Sequence, residues 1–165
     1  MVQEPNAASF FIWDTDGQGY FPATADTAGA LGKRIFFEGR TNSDSELWSS
    51  NANGIGAALF ADLWGSGSSK PGYFCAANGD LYFHARDDAG TVGHYVTDGT
   101  NTPVRIGEAP GPEAATMGCA AAGGFVYFAG EFDRSLMKTN GTASGTSEVW
   151  SSTRKRRDGH ENETR

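Results

Sequence analysis

Short apolar runs recur along the chain at a nearly constant spacing, each directly behind a turn sequence that contains glycine. The runs are residues 35–37 (Ile-Phe-Phe), 81–83 (Leu-Tyr-Phe) and 126–128 (Val-Tyr-Phe), and they start 46 and 45 residues apart. Small or charged residues follow each run. Short apolar runs bounded by turn residues are typical of β-strands. The spacing predicts a structural repeat of about 45 residues in which each unit carries one such strand.

A second series keeps a fixed distance from the first. A large residue stands three positions before an Asn or Asp, and in three of the four instances glycine follows. Asx-Gly pairs favour tight turns between strands because both residues tolerate a positive φ. Each unit is therefore predicted to contain at least two strands joined by a turn. The turn residues of this series are Asp16, Gly17, Asn51, Asp98, Gly99, Thr100, Asn140, Gly141 and Thr142.

Two further apolar segments complete the unit. Residues 58–64 precede a Gly- and Ser-rich loop at 65–71, and residues 103–106 precede a Gly- and Pro-rich loop one unit later. Residues 73–76 and their counterpart 117–121 supply a fourth strand. Four short strands in about 45 residues predict one blade of a β-propeller. We therefore expect an all-β fold of propeller-like repeats, in which about three blade-like units form an incomplete propeller.

The periodicity also divides the chain. The repeat pattern stops at Ser151, and no large apolar residue occurs behind it. We expect the basic segment there to be a disordered tail, because it has no apolar surface to bury. The predicted parts are an extension at 1–9, repeats over 10–150 (partial 10–31, full 32–78, full 79–123 and partial 124–150) and the tail at 151–165.

Composition supports an ordered β protein and narrows the range of partners. Leu, Ile, Val and Phe total only 27 residues, but 11 of these are Phe, and Tyr and Trp add nine further large rings that bury much area per residue. The 23 glycines argue against helices. No apolar run approaches the roughly 20 residues that span a bilayer. Residues 1–150 carry 8 Lys and Arg against 17 Asp and Glu, so we expect no nucleic-acid binding by the folded part.

The cysteines and the N-terminus bear on the cellular compartment. Cys75 and Cys119 belong to no CxxC motif and have no histidine at metal-ligand spacing. We expect two separate, partly buried thiols, with a disulfide as the alternative. Residues 1–6 lack the basic and apolar regions of a signal peptide. The chain is therefore expected to be either cytoplasmic or an internal piece of a longer exported protein.

The combined motif resembles the ELWxxDGT repeat family, whose unit reads roughly NGxLYFxAxD, then GxELWxTDGTxxGT, then an aliphatic strand that ends in DLxPGxxSSxP. The matching segments are 46–48 (Glu-Leu-Trp), 62–64 with 68–71, 78–87, 97–100 (Thr-Asp-Gly-Thr) and 140–146. His-Tyr at 94–95 and Asn-Ala-Asn at 51–53 depart from the pattern. The resemblance covers residues 10–149. It implies a β-propeller-type repeat protein that is exported or lies on the cell surface, and it implies no defined activity.

The Asx-Gly turns raise the question of a cation site. Asp14 and Asp16 with Gly17 resemble the start of a calcium loop, but the third oxygen position and the distal Glu of such a loop are absent. We favour turn capping, in which the side-chain oxygens accept hydrogen bonds from backbone amides. A calcium-stabilised structural repeat stays as an alternative, and no other cofactor is expected.

The large aromatic residues indicate either core packing or a ligand surface. Trp13, Trp48 and Tyr95 recur at one phase of the repeat, where a blade packs on its neighbour, so we expect them in the core. Trp64 adjoins a Gly- and Ser-rich loop and is the best candidate for exposure. The predicted ligand surface, for a glycan or a protein, consists of Trp64, Ser66, Ser68, Ser69 and Lys70.

Motifs that carry catalysis are missing from the sequence. It contains no GxSxG, HExxH or P-loop sequence. His84, His94 and His160 have no Cys, His or carboxylate partner in a metal-ligand pattern. We therefore expect no enzyme activity and no metal centre at these residues.

The rival hypothesis is a propeller glycosidase or lyase, which needs carboxylates from several units that converge on one point. The candidate carboxylates Asp62, Asp80 and Glu108 stand at different phases of the repeat, which argues against convergence. We therefore expect a non-catalytic repeat module for binding or scaffolding. It would be a segment of a larger exported or surface protein, in which further repeats or another chain complete the ring.

Overall fold

The computed structural model describes residues 11–13, 20–22, 28–41, 44–108, 118–129 and 135–151. Every regular element in this part of the chain is a β-strand, and all strand pairs are antiparallel, so the predicted all-β fold is confirmed. Strands β1 (Phe11–Trp13) and β2 (Tyr20–Pro22) form a two-stranded ribbon. Within the described ranges, no helix has the length and apolar character needed to cross a bilayer. The predicted extension at 1–9 and residues 152–165 of the predicted tail lie outside these ranges.

Three four-stranded sheets follow the ribbon, and in each the strands lie in chain order. Sheet I consists of β3 (Ala28–Leu31), β4 (Arg34–Thr41), β5 (Asp44–Asn51) and β6 (Ala58–Ala61). Sheet II consists of β7 (Gly72–Ala77), β8 (Asp80–Arg86), β9 (Val92–Thr97) and β10 (Val104–Glu108). Sheet III consists of β11 (Cys119–Ala122), β12 (Phe125–Ala129), β13 (Ser135–Thr139) and β14 (Ser147–Ser151). The predicted content of four strands per unit is thus confirmed, and none of these sheets closes on itself.

Each sheet begins one strand earlier than the corresponding sequence unit. Strand β7 falls in the unit 32–78, yet it pairs with β8 of the next unit. The reason is the two-residue turn at Asn78 and Gly79, whose φ values of 53° and 90° suit a type I′ hairpin. Gly123 and Gly124, with φ values of 58° and 81°, join β11 to β12 in the same way. The tightest turn of each repeat therefore lies inside a sheet and not between two sheets.

The last strand of each four-stranded sheet, in chain order, carries a β-bulge at an equivalent position. Phe60 in β6, Ile106 in β10 and Val149 in β14 are skipped by the pairing with the neighbouring strand. A bulge leaves its extra residue unpaired and bends the strand. The bulge lies beside Leu47, His94 and Leu136, which occupy equivalent positions in the three sheets. Structural equivalence thus extends beyond the sequence motif.

The hydrophobic core lies on both faces of sheet II. The first core, towards sheet I, includes Phe36, Leu81 and Phe83, all fully buried. The second core, towards sheet III, includes Tyr82 and Val126. Residues 81 to 83 alternate between the two cores because successive strand side chains point to opposite faces. Burial of one large side chain contributes about 1.5–3 kcal/mol, so the two cores hold the three sheets together.

The cysteines form a disulfide, and the expectation of two separate thiols is wrong. Cys75 in β7 and Cys119 in β11 are bonded with their Cα atoms 6.1 Å apart, so the bond joins sheet II to sheet III. The two residues occupy the first strands of consecutive sheets, and stacking brings those strands together. The bond joins residues 44 positions apart and so lowers the entropy of the unfolded chain. This raises the free energy of unfolding by about 4 kcal/mol.

Candidate functional site

The connection between sheets I and II, residues 62–71, contains all five residues of the predicted ligand surface. Trp64 in it is half-buried. Its indole lies over Gly67, where an added Cβ would approach the ring to 2.7 Å, and beside Gly90, where the distance would be 3.4 Å. The two glycines allow the ring to lie close to the backbone of two loops. Trp64 therefore presents only part of its surface to solvent.

Glu46 anchors this connection to sheet I. Glu46 is 5% exposed, and its carboxylate accepts hydrogen bonds from the backbone amides of Leu63 (2.8 Å) and Ser69 (2.9 Å) and from the Ser69 hydroxyl (2.7 Å). Hydrogen bonds to a charged acceptor are about twice as strong as neutral ones. Sequence reasoning missed this role, although a charged residue directly before the buried Leu47 and Trp48 was a signal of it. Glu46 thus sets the path of the chain from sheet I to sheet II.

The predicted ligand residues divide into anchored and accessible ones. Ser69 is fully buried against Glu46, and the Ser68 hydroxyl accepts a hydrogen bond from the backbone amide of Ser45 (3.0 Å). Ser66 and Lys70 are exposed, and Lys70 adopts a φ of 47°. In this structure the accessible part of the predicted surface is Trp64, Ser66 and Lys70, which we name the Trp64 edge.

The loop between β8 and β9 borders the Trp64 edge. The Asp87 carboxylate accepts hydrogen bonds from the hydroxyl and amide of Thr91 and from the amide of Ala89. The Thr91 hydroxyl above all, with these amides and Arg105, holds the pKa of Asp87 below the usual range. The Asp88 carboxylate accepts a hydrogen bond from the Gly65 amide (2.9 Å) and so ties the two loops together. The edge is therefore built from two sheets whose loops are bonded to each other.

The turns at Asn51, Asp98 and Asn140 are capped by their own side chains, as predicted. Asp98 accepts hydrogen bonds from the amides of Thr100 and Asn101, both 2.8 Å long, and these bonds lower its pKa. Asn140 accepts from Thr142, and Asn51 accepts from the Ile55 amide. Among the described residues, no group of three or more His, Cys, Asp or Glu side chains converges as a metal site. The suggested calcium residues Asp14, Asp16 and Gly17 lie outside the described residues.

Two of these turns also dock onto the preceding sheet. The carbonyl of Gly99 accepts a hydrogen bond from the Arg34 guanidinium of sheet I (2.8 Å), and an added Cβ at Gly99 would lie 3.1 Å from Leu31. An added Cβ at Gly141 would lie 3.6 Å from the Tyr82 hydroxyl of sheet II. The φ values of Gly99 and Gly141 are 80° and 86°. Glycine is therefore required for backbone conformation and, at Gly99, for close approach.

A pair of buried histidines lies between sheets II and III. His84 and His94 are cross-strand partners with ring centroids 4.5 Å apart, and the His94 ring lies 4.4 Å from Phe128 of sheet III. Burial lowers the pKa of His84 to about 4, and burial, His84 and Arg105 together lower that of His94 to about 3. Both rings are therefore neutral at pH 7. Three of their nitrogens, His84 Nε2 and both of His94, have no hydrogen-bond partner in the described structure.

The other predicted residues fall into core or surface positions. Trp48 and Tyr95 are buried, as expected for core aromatics, whereas the side chain of Trp13 lies outside the described part. Strand pairing places Asp80 and Glu108 at opposite ends of sheet II, so these two candidate carboxylates do not form one site. Asp62 is exposed beyond the end of β6.

Comparison of the chain with protein-family models and with curated proteins finds no match. Function is therefore inferred from the repeated geometry of the chain itself.

Proposed function

We propose that this chain is a non-catalytic repeat module for binding or scaffolding, whose sheets are arranged as blades of a propeller. The observation that carries the proposal is one inter-sheet contact made twice: the turn glycine of sheet II packs on Phe36 of sheet I, and that of sheet III packs on the equivalent Tyr82 of sheet II. Face-to-face stacking of four-stranded antiparallel sheets by a repeated contact is the construction principle of propeller blades.

The residues of the ELWxxDGT-like motif support this arrangement. Glu46 directs the chain from one sheet to the next, and Gly99 brings its turn onto the preceding sheet. The motif therefore has a role in sheet stacking, and this role favours the proposed membership of the chain in that type of repeat protein.

The disulfide supports an exported or surface location. Cys75 and Cys119 are bonded across the second core, and disulfides persist mainly in oxidising compartments. A module that is exposed to an oxidising environment gains stability from this bond, whereas a cytosolic one would lose it to cellular reductants.

The Trp64 edge is the proposed ligand-binding part of the module. An indole face binds the apolar face of a sugar ring or an apolar side chain, and the hydroxyl of Ser66 and the ammonium of Lys70 add polar contacts beside it. The hydrogen bonds of Glu46 and Asp88 hold the edge in place, which reduces the entropy lost on binding. The ligand class is a glycan or a protein surface.

The test is a glycan array together with a pull-down from the medium of the source cells, with wild-type protein and Trp64→Ala. We expect binding to fall at least tenfold, because loss of one aromatic anchor costs about 2 kcal/mol or more. Lys70→Asn, which tolerates the positive φ, should weaken binding without a change in stability. Ile55→Ala is the control, since Ile55 is 67% exposed and lies outside the Trp64 edge. Equal loss with Trp64→Ala and Ile55→Ala, or no ligand at all, would contradict the proposal.

A further inference from the structure

Sheets I and II each present one face to the next sheet, and the buried positions on that face are equivalent. Phe36 in sheet I corresponds to Tyr82 in sheet II, and these are 0% and 2% exposed. Leu47 corresponds to His94, again 0% and 2% exposed. The bulged Ile106 is 2% exposed, and its counterpart Phe60 is partly buried against the first core. The next sheet covers each of these positions. They form a complete contact set that is used twice within the chain.

Sheet III carries the same contact set, but nothing in the described structure covers it. Strand pairing and the shared bulge assign Tyr127, Leu136 and Val149 to it, and Trp150 lies beside them at the position of Ala61 in sheet I and Gly107 in sheet II. Leu136, Val149 and Trp150 are 38%, 48% and 58% exposed, and Tyr127 is half-buried. We name these four residues the outer face of sheet III. Apolar side chains clustered at solvent-exposed positions mark interaction surfaces.

The outer face of sheet III also contains the position on which the Asx-Gly turn of the next sheet packs; we call this position the turn seat. Gly99 packs on Phe36 and Gly141 on Tyr82, and the equivalent residue on sheet III is Tyr127. Beside this seat on sheet I, the Arg34 guanidinium donates to the turn carbonyl and to Ser49. Lys138 occupies the position equivalent to Ser49, with its ammonium 4.9 Å from the Phe125 ring. A cationic donor, Arg34 or Lys138, therefore lies in the same corner of sheet I and of sheet III.

We propose that the outer face of sheet III docks a further four-stranded sheet of the same repeat type. The Asx-Gly turn of that sheet would rest on Tyr127, and its turn carbonyl would accept a hydrogen bond from Lys138. This inference rests on the proposed repeat module and names its scaffolding partner. On sheets I and II, the contact set is covered in each case by the next four-stranded sheet of the repeat. The repeat sheet is therefore the partner that we infer for sheet III.

A second copy of this chain fits the outer face less well. Head-to-tail docking would use the far face of sheet I, where Phe37 and Trp48 are already buried at 3% and 8% exposure. Docking of two outer faces against each other would place no Asx-Gly turn on Tyr127, because the turns of sheet III point towards sheet II. A repeat sheet supplies both the apolar face and the turn.

The test inserts a second copy of residues 109–151 after residue 151, with residues 152–165 left at the end. In the inserted copy, Cys119→Ser prevents false disulfides and Trp150→Phe leaves the original Trp150 as the reporter. We expect the acrylamide quenching of Trp150, taken as the difference from a matched Trp150→Phe protein, to fall several-fold relative to the unextended chain. Circular dichroism establishes that the inserted copy is folded.

Variants of the original sheet III sharpen this test. Leu136→Asp should restore full quenching in the extended protein, whereas Leu59→Asp, at a residue that is 51% exposed on sheet I, should not. Lys138→Glu should weaken the protection of Trp150 and Lys138→Arg should preserve it, so the test does not depend on one variant.

Three outcomes would overturn the inference. The first is unchanged quenching of Trp150 beside a folded insert. The second is a dimer of the unextended chain in which Trp150 is protected, which assigns the face to a second copy. The third is protection of Trp150 in the unextended chain by soluble oligosaccharides, which makes the face a glycan site. Loss of ligand binding by Trp64→Ala is measured on a different edge, so the two proposals fail separately.

Discussion

The two interfaces within the chain, between sheets I and II and between sheets II and III, share one geometry and differ in chemistry. At the first, Arg34 stacks beside Phe36 and Phe60, with 5.2 Å from its guanidinium carbon to the Phe60 ring centroid. At the second, the disulfide and the histidine pair replace part of the apolar contact. The position of a residue in the repeat therefore decides where its side chain lies. The chemistry of that side chain decides under which conditions the interface is stable.

The interface between sheets II and III contains one destabilising feature, the histidine pair, and one stabilising feature, the disulfide. His84 and His94 bury ring nitrogens without hydrogen bonds, and each unsatisfied buried polar group costs about 1–3 kcal/mol. The disulfide between β7 and β11 offsets this cost through the unfolded state. We expect the interface of sheets II and III to respond to reductant and acid, and the interface of sheets I and II to be largely insensitive to both.

Removal of the disulfide should have the largest effect on this contrast. The double variant Cys75→Ala with Cys119→Ala, or wild type with reductant, should lose about 4 kcal/mol of unfolding free energy. Native-state hydrogen exchange should show the loss of protection in β12, while β4 keeps its protection. Equal loss in both strands would mean that the two interfaces unfold as one unit and would refute the contrast.

Acid should have the second largest effect. The pKa values of His84 and His94, lowered to about 4 and about 3, lie below the ordinary 6.5 of the unfolded chain. The unfolded state therefore binds more protons, so stability is full above pH 6.5 and decreases as the pH falls towards the folded-state values. For His84 alone, the loss between pH 7 and pH 5 is about 2 kcal/mol. Urea unfolding at the two pH values measures it.

Substitutions taken from the repeat itself serve as controls for the acid effect. His94→Leu installs the residue found at the equivalent positions 47 and 136, and it should reduce the pH dependence. Leu47→His should transfer pH dependence to the interface of sheets I and II. If the double variant His84→Phe with His94→Leu keeps the wild-type slope, carboxylates and not the histidines determine the response.

The docking turns should show the smallest difference. Gly99→Ala forces a φ of 80° on alanine and places its Cβ 3.1 Å from Leu31, whereas Gly141→Ala has a nearest contact of 3.6 Å. Both variants should lose about 1 kcal/mol from backbone conformation, and Gly99→Ala should lose more because of the contact. Thermal unfolding compares the two. A larger loss for Gly141→Ala would show that the turn seats are not equivalent.

Local patterns predicted much of the fold. The apolar triplets lie in β4, β8 and β12, and the side chains of Asp98 and Asn140 cap their turns as expected. These features depend on neighbours within a few residues, such as strand alternation and Asx hydrogen bonds, and a sequence displays them directly.

Contacts between sheets were predicted poorly. The pairing of Cys75 with Cys119 depends on the stacking of two sheets, and the burial of His84 and His94 depends on the face that sheet III covers. Within the predicted ligand surface, Ser69 is buried because Glu46 reaches across from another strand. No spacing rule displays such contacts, since they join residues that are distant along the chain.

The sequence by itself determined the repeat, the strand content and the turn chemistry of this protein, because these follow from short-range steric and hydrogen-bond preferences. Only the tertiary structure decided which strands share a sheet, which cysteines meet and which apolar face stays uncovered. Those features depend on how whole sheets stack, and stacking minimises exposed apolar area over the entire chain and not within one unit.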